Sequence, residues 1–476
     1  MKKEIFFLGF VWYFCVVGGY DRGIEEIYYW REVNYENLPL KDDTYIGPYP
    51  YHIPINNNVL GIAYHAQSGL MVTSVARLRP GVPSAINAFC VADYDQGTSP
   101  HLWGFPDYEK NTLKEEFYAG GDQSRKLNKQ DKYSENYYNH YQDKYYNDFS
   151  IISSYHPIVD DRCNRLFALD TGVLRYGPNG PIYYVQNPSL IVFELPPHGC
   201  DTRYFPLSRR VEFPNHLWED PIGFLYIALD YQPKGSCDDL FLYITNVFDA
   251  RVIVYDYKRG DFWYFADPSF RPYMAEAYMV FNKNFEYYFP IAVTNLALGW
   301  QDKDGDRNAY YGPEASFAEY VVSTKLLKNS KKAPYKYKPG EFELIGYSGC
   351  RSQTCRQFFD LSSGVLFFAE IQSNRVRCWN TQLPLNPDTI GVVMESDVLQ
   401  YVSEIFVDPE GFLWFHSCQL PLLFHSEIPL DITKKTSRSF RVRATDAIKG
   451  TVCDLSNKYY RSEFEFPYNN GTIEYL

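Results

Sequence analysis

The sequence lacks the fingerprints by which most enzymes announce themselves. It contains no His-Glu-x-x-His, no paired Cys-x-x-Cys, no Gly-x-Ser-x-Gly and no phosphate-cradling glycine loop. Zinc hydrolysis, dithiol redox chemistry, serine hydrolysis and nucleotide binding therefore have no local signal. No metal, no cofactor and no catalytic residue is assigned from motifs. Positive charge is also in short supply: 46 Lys and Arg face 58 Asp and Glu, a formal net charge of −12. Nothing gathers the Lys and Arg into a stripe, so a nucleic acid partner is not expected. Beyond the first twenty residues no run approaches the 18 unbroken apolar residues that a membrane-spanning helix needs.

Apolar and aromatic side chains are plentiful, 45% and 18% of the 476 residues, enough for one very large core or two ordinary ones. They come in a repeated grammar of apolar run, tight polar turn and second apolar run. The clearest instance, residues 158–172, holds Asp160-Asp-Arg-Cys-Asn-Arg-Leu-Phe-Ala-Leu-Asp-Thr-Gly172. Residues 62–73, 359–370 and 406–417 repeat it, each with Gly late in the turn, and looser copies occupy 225–246 and 296–316. Each unit is followed by a further strand-like run: 84–92, 189–195, 251–257, 319–324, 375–380 and 420–424.

Four short strands cannot bury both faces of their own sheet. Six such units must stack on one another, and the closed arrangement is an all-β, six-bladed β-propeller. Closure requires an early strand, expected at residues 29–35, to pair into the last blade and remove two sheet edges.

Residues 1–19 read as a signal peptide: Lys2 and Lys3, an apolar run, then small residues at Val17 and Gly19. A secreted, extracellular chain is expected, with one propeller domain over 20–476. Removing Cys15 leaves nine of ten cysteines, so at least one thiol is unpaired or bridges two chains. Cys163 and Cys200 bracket the second unit and are the favoured bridge. Cys350 and Cys355, too isolated for a metal knuckle, are expected as disulfide cysteines. Asn470 heads an Asn-Gly-Thr glycosylation sequon in a C-terminal tail expected to be irregular from about 430. Residues 109–148 form a polar, tyrosine-rich insertion in which Tyr133, Tyr137, Tyr141 and Tyr145 recur at helical spacing. It reads either as a plain surface insertion or as a phenol-rich cross-linking element.

Residues 160–172 resemble the signature of the insect yellow and major royal jelly protein family. Gly81-Val-Pro-Ser84, Ser99-Pro-His-Leu-Trp-Gly-Phe-Pro-Asp107, residues 188–195, residues 243–256 and Cys378-Trp-Asn380 fall in the family's order. The resemblance covers roughly residues 30–424. It implies a secreted six-bladed propeller with roles in cuticle pigmentation, eggshell assembly, nutrition or salivary amine binding, and dopachrome isomerisation in some members. This chain departs from the pattern at Ala76-Arg77-Leu78, Asn246, Ile291-Ala292 and Asn295, some of them positions where an acid is usual.

A ligand would meet Asp170, Thr171, Asn246, Asn295 and Glu370 around one mouth of the axial channel; the competing reading gives Asp170 and Thr171 a fold-holding task. His156 and His416, beside strand ends, are either proton shuttles or satisfied structural residues. The expected function is a non-enzymatic matrix role in insect cuticle or eggshell, with extracellular matrix proteins as partners. The alternatives are binding of a small aromatic amine or catechol in the channel, and dopachrome isomerisation.

Overall fold

A computed structural model describes residues 22–39, 51–113, 149–200 and 203–456. Its strands follow from the repeated grammar. In Arg165–Asp170 every residue is buried, because a blade is covered by its neighbours on both faces, so an unbroken apolar run is the stable choice. Asn164 closes the preceding turn at φ +51°, a left-handed conformation that Asn tolerates, and Gly69, Gly364 and Gly411 close the equivalent turns with positive φ.

Six four-stranded antiparallel sheets form the six-bladed propeller. Blade 1 comprises Gly61–His65, Leu70–Ser74, Ile86–Cys90 and Trp103–Gly104, and blade 2 Ile158–Asp160, Arg165–Asp170, Ser189–Glu194 and Leu207–Glu212. Blade 3 is Phe224–Tyr231, Leu240–Asn246, Arg251–Asp256 and Asp261–Phe265; blade 4 is Ala297–Gln301, Arg307–Tyr311, Ala318–Ser323 and Phe342–Tyr347. Blade 5 is Thr354–Asp360, Val365–Glu370, Arg375–Asn380 and Ile390–Glu395. Blade 6 joins Val402–Val407, Phe412–Ser417 and Ser437–Arg443 to Glu25–Trp30 from the start of the described chain. Closure by an early strand is as expected, but the strand is Glu25–Trp30 rather than 29–35. First strands of neighbouring blades meet around the axis and fourth strands lie outermost.

Antiparallel order fixes two ends. At one, here called the upper, each blade's first strand begins and its second strand ends; the tight turn joining these two strands lies at the lower end. Two extra hairpins sit in upper connections, Val173–Arg175 with Ile182–Tyr184 and Tyr278–Phe281 with Phe285–Tyr288, as does the short helix Leu420–His425.

That helix corrects the strand expected at 420–424. Pro421 occupies its first turn, where a missing N–H costs nothing, and a short apolar run is equally compatible with a buried helix. The third strand of blade 6 comes instead from Ser437–Arg443, in the stretch expected to be an irregular tail. Alternation of Ser439, Arg441 and Arg443 with Phe440 and Val442 gives it one apolar face.

Disulfides join Cys90 to Cys200, Cys163 to Cys237 and Cys378 to Cys453, so the expected Cys163–Cys200 bridge is wrong. Cys163 lies in the lower turn of blade 2 and faces the corresponding turn of blade 3, whereas Cys200 lies toward blade 1, where the third strand ends at Cys90. Each staples neighbouring blades, with Cα atoms 5.8 and 5.9 Å apart. Cys350, Cys355 and Cys418 are free thiols, which corrects the expectation for the first two. Residues 1–19, the tyrosines of 114–148 and Asn470 lie outside the described residues.

Candidate functional site

The recognisable signature of residues 160–172 builds the lower end. Asp161 accepts from the Ala66 N–H of blade 1 (2.8 Å), and the Asn164 side chain meets His65 Nε2 at 3.0 Å. Toward blade 3, Arg165 donates to the Tyr231 hydroxyl (3.0 Å) and to Asp238 (3.1 Å), with Asp160 at 3.5 Å. Between blades 3 and 4, buried Asp230 is held by Arg307 at 2.9 Å and Lys328 at 3.0 Å. These groups pair with one another and hold blades together.

The upper hub differs. Tyr226, Arg356 and Glu404 are each the third residue of a first strand, in blades 3, 5 and 6. In all three strands the pairing register shifts next to that residue, between Phe224 and Ile227, Thr354 and Arg356, and Val402 and Glu404. A bulge turns a side chain out of the regular alternation, and here it frees three polar side chains from the sandwich between blades. His156 Nδ1 donates to Glu404 Oε2 at 2.8 Å, and Arg356 Nε lies 3.5 Å from Glu404 Oε1. The guanidinium stacks over the Tyr226 ring, 4.5 Å from its centroid. From blade 4, Glu314 receives the Tyr401 hydroxyl on both carboxylate oxygens at 3.2 Å.

All of these residues are buried, and burial is the largest cause of the shifts at His156, Glu314 and Tyr226. Desolvation, reinforced by Arg356 and opposed by Glu404, depresses His156 to about 4, so the imidazole is neutral at physiological pH. Desolvation raises Glu314 to about 7, against the opposing pull of Tyr401 and Arg356. Glu319 rises to about 8 through burial, with Gln357 opposing and Glu370 adding to the shift. The Tyr226 phenol is pushed up by burial.

Arg356 itself is 1% exposed, yet its Nη2 has no hydrogen-bond partner among the described residues. Leaving a buried donor unpaired costs about 1–3 kcal/mol, more for a charged group, so this edge of the guanidinium is expected to meet water or a ligand in solution. Together the hub offers a fixed cation, a neutral imidazole, an aromatic face and an acid that titrates near neutral pH.

The five expected channel residues sit at the upper end but are engaged with the fold. Asp170 accepts the N–H groups of Ile152, Ser153 and Gly172 at 3.0, 2.9 and 3.0 Å, and the Gln186 amide at 2.7 Å. Thr171 Oγ1 accepts from the Val173 N–H, and Asn246 closes the turn after its strand through the Phe248 and Asp249 N–H groups. Glu370 is held by Arg375, Arg377 and Ser373. Asn295 pairs its amide with both backbone groups of Gln357, at 2.7 and 3.2 Å, which pins the backbone beside Arg356. Of the two histidines, His156 joins the hub. His416 spends Nδ1 on Ser439 and Nε2 on the Val59 carbonyl, a structural role.

Arg356, Glu404, Glu314 and Tyr226 went unnoticed in the sequence because each stands alone in an apolar run. The available signal was positional: aligning the repeats puts Tyr226, Arg356 and Glu404 at one register of the innermost strand. Asn246 and Ile291 stand where the family resemblance leads one to expect acids, and the buried carboxylates of the upper end come from other positions, Glu314, Glu319 and Glu404.

Comparison with known proteins agrees with this architecture. The chain is 35% identical over 309 residues to the yellow-related salivary protein M10 of Phlebotomus duboscqi, covering 64% of this chain and 73% of that one. It is 27% identical to the yellow-related salivary protein SP04 of Phlebotomus argentipes, covering 96% and 99%. To L-dopachrome tautomerase yellow-f of Drosophila melanogaster it is 28% identical, covering 84% and 82%. The profile described as "Major royal jelly protein" matches residues 152–453, which spans blades 2 to 5, three of the four strands of blade 6 and every hub residue named above, and the chain belongs to the major royal jelly protein family.

Proposed function

We propose that this is a secreted protein whose upper hub isomerises an aminochrome, the cyclised quinone of a catechol amine, of which dopachrome is one. The observation that carries the reading is a buried hub in which Arg356 faces the Glu404–His156 pair and also acts on Glu314, whose carboxyl burial raises to about 7 while His156 is neutral. Tautomerisation of dopachrome conserves atoms and electrons: two hydrogens leave the saturated ring carbons and two reappear as phenolic O–H groups. It requires groups that exchange protons near neutral pH and a site from which bulk water is kept out.

Glu314 meets the first requirement. Burial raises its carboxyl to about 7, the range in which a carboxyl can both accept and return a carbon-bound proton, and the Tyr401 hydroxyl fixes its orientation. His156, oriented through Nδ1 by Glu404, is a second group of the hub able to relay a proton. Tyr226 adds an aromatic ring to the hub, stacked against the Arg356 guanidinium. Similarity to a relative named L-dopachrome tautomerase supports the same chemistry, and the three disulfides together with salivary relatives support secretion.

The test is the decay of L-dopachrome colour with purified protein and with Glu314→Gln. Acceleration by the native chain that is lost in the variant supports the reading; a spontaneous rate in both would end it.

A second reading, a matrix role in cuticle or eggshell, is favoured by one feature. Tyr278 and Tyr288 stand directly opposite each other on the outer hairpin, 72% and 42% exposed, with ring centroids 4.7 Å apart. Peroxidase with hydrogen peroxide would couple such phenols, two tyrosines losing two hydrogens as peroxide becomes water. Dityrosine fluorescence that survives both Tyr278→Phe and deletion of 114–148 would count against either element as the cross-linking site.

A further inference from the structure

We infer that Arg356 is a carboxylate receptor, and that the hub therefore takes a ligand bearing an acid group in preference to its decarboxylated amine counterpart. The inference rests on the axial reading above and narrows its substrate class.

Five arginines are buried among the described residues, and the three with the lowest exposure, Arg77, Arg165 and Arg356, allow a comparison. Arg77 distributes its guanidinium over five backbone carbonyls, Val82 (3.0 Å), Ile151 (2.7 Å), Ile152 (2.6 Å), Pro83 (2.9 Å) and Asn111 (2.5 Å). Arg165 engages Asp238 through Nη1 and both the Tyr231 hydroxyl and the Cys237 carbonyl through Nη2. Arg356 does neither. Its Nη1 reaches only the carbonyl of its own neighbour, Cys355, at 3.2 Å; its Nε faces Glu404 at 3.5 Å; its Nη2 is unpartnered among the described residues. The arginine that is least committed is the one at the junction of five blades.

The vacant edge suits an anion of one shape. A guanidinium presents parallel N–H groups that match the two oxygens of a carboxylate, a geometry a point charge cannot copy. Stacking over Tyr226 holds the guanidinium plane in place before a ligand arrives. Local charge points the same way. Glu404 is the anion within ion-pair distance of Arg356 and is shared with the His156 N–H, while His156 is neutral and burial holds Glu314 largely protonated below about 7. An incoming carboxylate completes the pairing of the guanidinium. An incoming ammonium meets a fixed cation at the same place.

The test compares matched pairs. Calorimetry sets L-DOPA against dopamine, and kinetics sets L-dopachrome against both its methyl ester and the aminochrome of dopamine. The account predicts tighter binding of L-DOPA and a kcat/KM for L-dopachrome roughly 100-fold above either uncharged analogue, since a buried donor left unpaired rejects the analogue lacking its partner. Arg356→Gln should lower the L-dopachrome value by a larger factor than it lowers the other two, so that the advantage of the acid is lost. Should that variant fail to fold, the methyl ester arm on the native chain decides. Equal handling of acid, ester and amine, or an Arg356→Gln loss of the same size for all three, would overturn the receptor while leaving an axial isomerase standing. No binding and no conversion of any of them would remove both.

Discussion

The two ends of this propeller are built from the same kinds of side chain and do opposite things with them. At the lower end Arg165, Asp160, Asp230, Arg307 and Lys328 pair across blades, with a disulfide between two of the same turns. At the upper end His156, Glu314, Glu319 and Arg356 are buried just as deeply, but the acids are forced toward neutrality and one guanidinium edge is unmatched. Connection length is the physical difference. Tight turns leave few conformations and let neighbouring blades meet at close range, whereas the longer upper connections and bulged first strands hold polar groups away from one another's best partners. The lower end contributes stability, and the upper end carries the features expected of a site.

The contrast can be broken experimentally, and the largest effect belongs to the lower end. Replacing Cys163 and Cys237 together by Ser opens a link spanning 74 residues and should cost about 4 kcal/mol in denaturant unfolding, with activity of the still-folded protein unchanged at low temperature. Loss of activity without loss of stability would place function at the wrong end.

Next is Glu314→Gln. It should lower kcat by about 100-fold or more while leaving the fold intact or more stable at pH 8, because the native carboxylate is ionised there against its burial.

A smaller effect concerns pH. His156 and His416, both depressed from 6.5 to about 4, make stability rise with pH across that window, because the unfolded chain binds protons that the native one refuses. Glu314 and Glu319, raised from 4.5 to about 7 and 8, act in the opposite sense above 4.5, because the native chain holds protons that the unfolded one releases. His425, also depressed to about 4, acts with the other histidines, so between about 4.5 and 6.5 the two glutamates offset only part of the histidine slope. In Glu314→Gln one opposing group is gone, and the slope in that window should steepen by about 1.4 kcal/mol per pH unit, stability falling further toward acid. A variant profile with the native slope would deny that Glu314 is buried and protonated. The smallest change is expected for the exposed thiol: Cys350→Ser should alter stability by less than about 0.5 kcal/mol while removing the one surface thiol among the described cysteines.

The architecture was legible in the sequence because it is written locally. Alternating apolar runs, turns ending in Asn or Gly and six recurrences suffice for the propeller, and the need to remove sheet edges anticipates a closing strand from the start of the chain. The misreadings come from information that is not local. Leu420-Pro-Leu-Leu-Phe424 is too short for periodicity to separate strand from helix, and the strand expected there was supplied by Ser437–Arg443. Cysteine spacing says nothing about which blades face each other, so Cys163 was joined to the wrong partner.

The site was the least legible part. Asp170, Asn246 and Glu370 drew attention because they end strands at the upper mouth, and they proved to be spent on backbone N–H groups and on arginines. Arg356 and Glu404 lie 48 residues apart in sequence positions 356 and 404, in separate blades. Packing of blade 5 against blade 6 brings them within 3.5 Å of each other.

The most direct measurement is the rate at which purified protein discharges L-dopachrome, followed alongside Glu314→Gln and the Cys163/Cys237 double variant. The account predicts acceleration by the native chain, its retention when the lower staple is removed, and its loss when the upper acid is neutralised. A native rate no faster than the spontaneous one, or one abolished by the lower change and untouched by the upper, would contradict it.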